Sequence, residues 1–309
     1  MAGPNQELAD FLRRARASRD PQHAGLPADG RIRRVHGLRR EEVALLAGVS
    51  TDYYTRLEQG RRIVPSTQVL DAIARALDLD DVGRTHLHNL ANAARAHGPQ
   101  PRTTGRRVRP GIYQLLDSLD TQPALILGRR TDVLAANRMA RALFTDFERT
   151  PPRERNYARW MLLTEEARNL FLDWEQQARN AVESLRFDAG RTPDDPDTQK
   201  LVGELTLASA EFRRWWSEHR VHQRTFGTKR LHHPVVGELT VEYETLQLPG
   251  DSEQTLYIFT TGPASPSRQA MNLLASWAQP HVSTDKQEAP IRNRTRALEL
   301  PIHGVSDGT

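Results

Sequence analysis

Apolar residues recur at helical spacing in five short runs over the first 96 residues. In residues 6–19, Leu8, Phe11, Leu12 and Ala15 fall on one face, which predicts an amphipathic helix. Residues 20–37 break the pattern with Pro, Gly and the clustered Arg31, Arg33 and Arg34, and are expected as an extended basic loop. Between 40 and 59, Val43 and Ala47 lie one turn apart, Tyr54 and Leu57 lie nearly so, and Val49 stands between the pairs. Gly48 sits where a tight turn needs positive φ, Ser50 where a second helix needs an N-cap, and small Ala44 where two helices cross. Pro65-Ser66 opens a helix through Leu77 with Val69, Leu70, Ile73 and Leu77 in register, and a fifth runs from about 81 to 96 with Leu87, Leu90 and Ala94 inward. The expectation is an all-α five-helix domain over 1–96 with a helix-turn-helix at its centre.

Residues 97–110 (HGPQPRTTGRRVRP) carry no periodicity and are expected as a linker. Over 111–279 the period is mixed. Helix is expected at 111–119, 137–147, 164–186, 197–217 and 267–278, and strand at 123–127, 131–135, 239–247 and 255–261. Strands at both ends with helices between them predict an α+β domain built on an antiparallel sheet. From 280 to 309 Pro, Asp, Thr and Arg dominate, and a disordered tail is expected.

Charge sharpens this division. Residues 1–109 hold 19 basic and 12 acidic residues, a net +7, while the remaining 200 hold 24 and 27, a net −3. A basic helical module joined to a slightly acidic one suits a nucleic-acid binder attached to something else. Cysteine is absent, so disulfides, thiol nucleophiles and Cys-based zinc sites are excluded. No run is apolar enough to span a bilayer and no leader pattern is seen, so a cytoplasmic location is expected. All the basic residues except Lys200, Lys229 and Lys286 are arginine, a bias that suggests a GC-rich genome.

The second helix of the pair, Ser50 to Gln59, is the one expected to enter the major groove. With Tyr54 and Leu57 inward, Ser50, Thr51, Asp52, Tyr53, Thr55, Arg56 and Gln59 face outward as candidate base-reading residues. Asp52 has an equally good local role, because an acid in the first turn stabilises the helix dipole. Arg39 and Arg40 before the first helix, and Arg61 and Arg62 after the second, are the phosphate-contact candidates. One such module reads few base pairs, so a homodimer on a repeated operator in double-stranded DNA is expected.

In the second half, aromatics gather with arginine at NYARW (156–160), Trp174, FRRWW (212–216) and Phe226. Trp160, Trp174, Phe212 and Trp216 are candidate walls of a pocket for a small hydrophobic ligand, with Arg159 or Arg213 for an acidic head; a plain aromatic core explains the same spacing. His219, His222, His232 and His233 raise a metal reading, but no zinc-hydrolase motif accompanies them. No GxSxG, phosphate-binding loop or dinucleotide fingerprint is present, so the expectation is a non-enzyme with no cofactor, no metal and no catalytic residues.

Residues 36–79, HGLRREEVALLAGVSTDYYTRLEQGRRIVPSTQVLDAIARALDL, resemble the XRE-type, phage-repressor-like helix-turn-helix regulators of actinobacteria. The segments TQPALILGRRTDVLAANRMARALF, NYARWMLLTEEAR, LVGELTLASAEFRRWW, KRLHHPVVGELTVEYETLQLPGDSEQTLYIFTT and LLASWA resemble the MmyB-like ligand-binding domain, a PAS-like fold. The resemblance implies a DNA-binding transcription regulator with a sensing domain, a fatty-acid-like or other small hydrophobic ligand, and Asn137 as a further ligand-site residue. Two rivals remain at this stage: a metal-dependent enzyme built on the histidines, and a second domain that serves only dimerisation or protein interaction.

Overall fold

The structure is a computed structural model of the 309-residue chain and describes residues 4–26, 37–95, 107–249 and 253–279. The tail expected at 280–309, the arginines at 31–34 and most of the expected linker lie outside the described residues. Residues 1–278 form one compact unit.

Its first part is helical: α1 (Pro4–Ser18), α2 (Arg40–Ala47), α3 (Thr51–Glu58), α4 (Thr67–Ala76) and α5 (Asp81–Arg95). They close on a single cluster of Leu8, Phe11, Leu12, Leu38, Val43, Ala44, Tyr54, Leu57, Leu70, Ile73, Leu87 and Leu90. The α2–α3 corner forms for the reasons its residues suggest. At α2 the Glu42 carboxylate reaches back to accept the Arg39 N–H at 2.7 Å, which caps the first turn. Gly48 ends α2 with φ +65°, and the Ser50 hydroxyl accepts the Tyr53 N–H at 3.1 Å to start α3.

Glu58 holds the corner from below, with its side chain fully buried. It accepts from Arg16 of α1 at 2.5 and 3.1 Å and from Arg40 of α2 at 2.7 Å. Burial pushes its carboxyl up, but the two guanidinium groups outweigh burial and hold it below the ordinary glutamate value. One carboxylate therefore ties α1, α2 and α3 together.

The second part follows a short approach in which Val108 is already buried, so the last residues of the expected linker belong to the fold. Then come α6 (Pro110–Ser118), β1 (Ala124–Leu127), β2 (Val133–Ala136), α7 (Arg138–Leu143), α8 (Tyr157–Leu163), α9 (Glu165–Leu170), α10 (Trp174–Arg191), α11 (Pro196–Ala208) and α12 (Ala210–Ser217). The chain closes with β3 (Phe226–His233), β4 (Gly237–Gln247), β5 (Thr255–Thr260) and α13 (Pro266–Trp277). The five strands are antiparallel in the order β2-β1-β5-β4-β3. One face of the sheet carries the main core with α7 to α13, and the other packs α6 through Leu116, Ile126, Leu248 and Leu256.

Two expected long helices are divided. The 164–186 run breaks at Phe171, which turns to an extended conformation and bridges to Leu231 of β3, and the 197–217 run breaks at Ser209, which caps α12 through the Phe212 N–H. The helix expected at 137–147 ends at Leu143. Helix α8 and strand β3 were not expected at all. In β3 the alternation is hidden because Lys229 and His233 occupy inward positions beside Leu231.

Candidate functional site

Helix α3 presents Ser50, Thr51, Asp52, Arg56 and Gln59 fully outward, Thr55 at the margin, and Tyr53 half-buried against the core. Asp52 and Arg56, one turn apart, form an exposed ion pair at 3.0 Å, so both are positioned on one another along the outer face. The four phosphate candidates fall into two groups. Arg61 and Arg62 are exposed and have no ion-pair partner among the described residues. Arg40 is instead engaged with Glu58, and Arg39 lies 3.8 Å from Glu41 beside the α2 cap it forms, so these two have structural duties that spacing did not reveal.

The aromatic candidates of the second half share one hydrophobic cluster, Trp160 and Phe212 within it and Trp174 and Trp216 packed against it. Trp160 is buried among Phe144, Phe147, Tyr157 and Phe171, with its indole N–H donated to Glu166 at 3.0 Å. Trp174 donates to the Met161 carbonyl at 2.8 Å and carries the Arg168 guanidinium on its face. Phe212 and Trp216 stack on one another at 5.2 Å, and Trp216 also carries Arg186 at 3.9 Å. Arg159 is forked onto Glu204 at 2.6 and 2.7 Å, and exposed Arg213 donates to the Thr206 carbonyl. Asn137 is saturated: its oxygen accepts from the Ala124 and Ala140 N–H groups at 2.9 Å, and its amide donates to the Leu119 and Gln122 carbonyls. Six of these residues are packed in the cluster or bonded to its frame, and Arg213 is exposed.

The inner face of the sheet carries a different constellation. Lys229 of β3 is 9% exposed, between Tyr243 of β4 (5.0 Å to the ring) and Phe171 (5.6 Å). Its ammonium donates to Gln177 of α10 at 2.7 Å and no carboxylate pairs with it among the described residues. Burial, and then the neighbouring Arg224 charge, bring it down to about 7. Arg224 lies 5.9 Å over Tyr257 of β5, which is 6.1 Å from Tyr243. Tyr157 of α8 completes the group, its hydroxyl buried with no hydrogen-bond partner among the described residues. Two cations and three phenols thus meet beside an apolar core; Arg224 has the Asp188 carboxylate of α10 near it, whereas no carboxylate is paired with Lys229 among the described residues. The only sequence signal was that Lys229 is one of three lysines in an arginine-rich chain.

The four histidines are dispersed. His219 follows the end of α12 at φ +57° with Nδ1 3.2 Å from Arg186, and His232 and His233 point to opposite faces of β3. His233 bridges the Ala142 carbonyl and the Val235 N–H. No group of three or more metal-ligating side chains occurs among the described residues.

A helix-turn-helix with an open recognition face is joined to a five-stranded domain whose inner face buries a lysine. Residues 7–87 match a helix-turn-helix domain, and residues 108–274 match the MmyB-like transcription regulator ligand binding domain. The chain belongs to the MmyB-like family of transcription regulators. A search of curated proteins finds no match. Both matched families are regulator domains rather than enzymes, and no described helix is long and apolar enough to cross a membrane.

Proposed function

We infer that the chain is a homodimeric, sequence-specific operator binder in which α3 reads bases and the sheet interior senses a small apolar molecule with an acidic head. Thr51, Asp52, Arg56 and Gln59 supply the outward reading groups, and Arg61 and Arg62 supply backbone contacts. The observation that carries the ligand reading is Lys229: a buried ammonium with only Gln177 as acceptor is costly unless an anion joins it. A carboxylate against Lys229 and Arg224, with its apolar tail in the core, supplies that charge.

Selection of duplexes from a random pool by the full chain tests the first part. Arg56→Ala is expected to relax base preference at one position by about 1–3 kcal/mol, and unchanged selectivity removes Arg56 from the reading set. Native mass spectrometry after gentle purification tests the second. A small acid is expected on the wild type and lost from Lys229→Met; retention by the variant refutes the assignment.

A further inference from the structure

Helix α10 touches both halves of the chain with opposite faces. Gln177, Ser184 and Asp188, seven and eleven residues apart, share one face. Gln177 accepts from Lys229, Asp188 lies in the field of Arg224, and the Ser184 hydroxyl is buried without a partner. Arg186 and Gly190, nine and thirteen residues from Gln177, lie on the other side, about 20 Å along the helix from the Lys229 contact in the case of Gly190.

There they seat the DNA-binding half. Gly190 is the point of closest approach: a β-carbon there would fall on the His86 ring of α5, with His86 Nδ1 only 2.6 Å away. His86 is 2% exposed and lies between Phe11 of α1 (5.1 Å) and Phe187 of α10 (6.1 Å). Arg186, also buried, crosses the boundary to Glu7 of α1 at 3.3 Å and is held on its own side by the Trp216 ring and carbonyl and by His219. The stacked Phe212–Trp216 pair thus supports an arginine at the boundary between the two halves.

We propose that α10 is the coupling element of this regulator: an acidic ligand head at Lys229 displaces Gln177 as its acceptor, and the resulting shift of α10 changes the Gly190–His86 and Arg186–Glu7 seats and with them the affinity of the helix-turn-helix for DNA. This rests on the reading of the Lys229 cluster as the ligand-head site. The coupling requires a discrete element biased from both ends, and α10 is continuous from the Lys229 contact to the seat.

A double-mutant cycle on the full chain tests it. Gln177→Glu puts a charged acceptor on α10 itself and so tightens the Lys229 contact that a ligand would release; Gly190→Ala forces α10 and α5 apart. Affinity is read by fluorescence anisotropy on a duplex selected by the wild type. Gln177→Glu is expected to change the Kd by about 5-fold or more, and the change is expected to fall below about 2-fold in the Gly190→Ala background. No change from Gln177→Glu, or an equal change in both backgrounds, overturns the coupling. Should Gly190→Ala fail to fold, Glu7→Gln severs the second seat and the same attenuation is required. Decanoate titration, read by tryptophan fluorescence, separates the two claims. Coupling in the cycle without decanoate binding refutes the acid-head reading alone, and decanoate binding without coupling refutes the role of α10 alone.

Discussion

Two buried charged side chains in this protein have opposite consequences. Glu58 is buried with its partners in place, so its carboxyl is held below the ordinary value and its stabilisation is present above about pH 4.5 and lost as the pH falls through the folded value. Glu58→Gln leaves Arg16 and Arg40 facing a neutral amide and is expected to cost about 2–4 kcal/mol in urea unfolding monitored by circular dichroism. Lys229 is buried without a counter-charge, and its folded value of about 7 lies below the unfolded value of about 10.4. The unfolded chain therefore binds more protons between those values, and ligand-free stability should rise as the pH goes from 7 to 10. Lys229→Met is expected to raise the midpoint at pH 7 and abolish that rise; a variant with an unchanged pH profile shows that Lys229 is not the titrating group. The burial of neither residue is legible in the sequence, since it depends on strand phase and on partners far along the chain, such as Arg16, 42 residues from Glu58.

At the scale of elements, the legible parts were those whose order is local. The α2–α3 corner could be read residue by residue because capping, positive φ and one-turn spacing are properties of neighbouring residues. Strands β1, β4 and β5 were visible through their apolar or β-branched runs. What escaped was set by tertiary context: the break at Phe171, fixed by its bridge to Leu231, and β3, whose inward positions hold Lys229 and His233. Asn137 and Arg159 show the same dependence on tertiary context, because the partners that hold them are not shown by composition. The seat between α5 and α10 is of this kind too, and it makes a pH prediction. Burial, then the Arg186 and His219 charges, hold His86 at about 3, well below its unfolded value near 6.5. The unfolded chain binds more protons across that window, so the seat weakens as the pH drops from 6.5 toward 3. Amide protection factors in α5 and the last turns of α10 should fall together over this range, ahead of the sheet, and His86→Phe should suppress the fall.

For the whole molecule, the charge division and the open α3 face determine how DNA binding should respond to salt and to symmetry. Most of the excess positive charge sits in the helical third, and the exposed Arg61 and Arg62, without an ion-pair partner among the described residues, follow the reading helix. Each phosphate contact releases condensed counterion, so Arg61→Ala and Arg62→Ala should each lower the slope of log affinity against log salt by about 1 per binding module without changing which sequence is chosen. A homodimer doubles that figure for every single substitution, because each change is made twice. It also requires the selected duplexes to be two-fold repeats with half-site centres about 10 base pairs apart, or a multiple of that spacing. The two measurements constrain one another. A slope change near 2 on symmetric sites fits two helices α3 presented by one dimer, whereas a change near 1 on asymmetric single sites means that one chain binds alone and the homodimer is wrong.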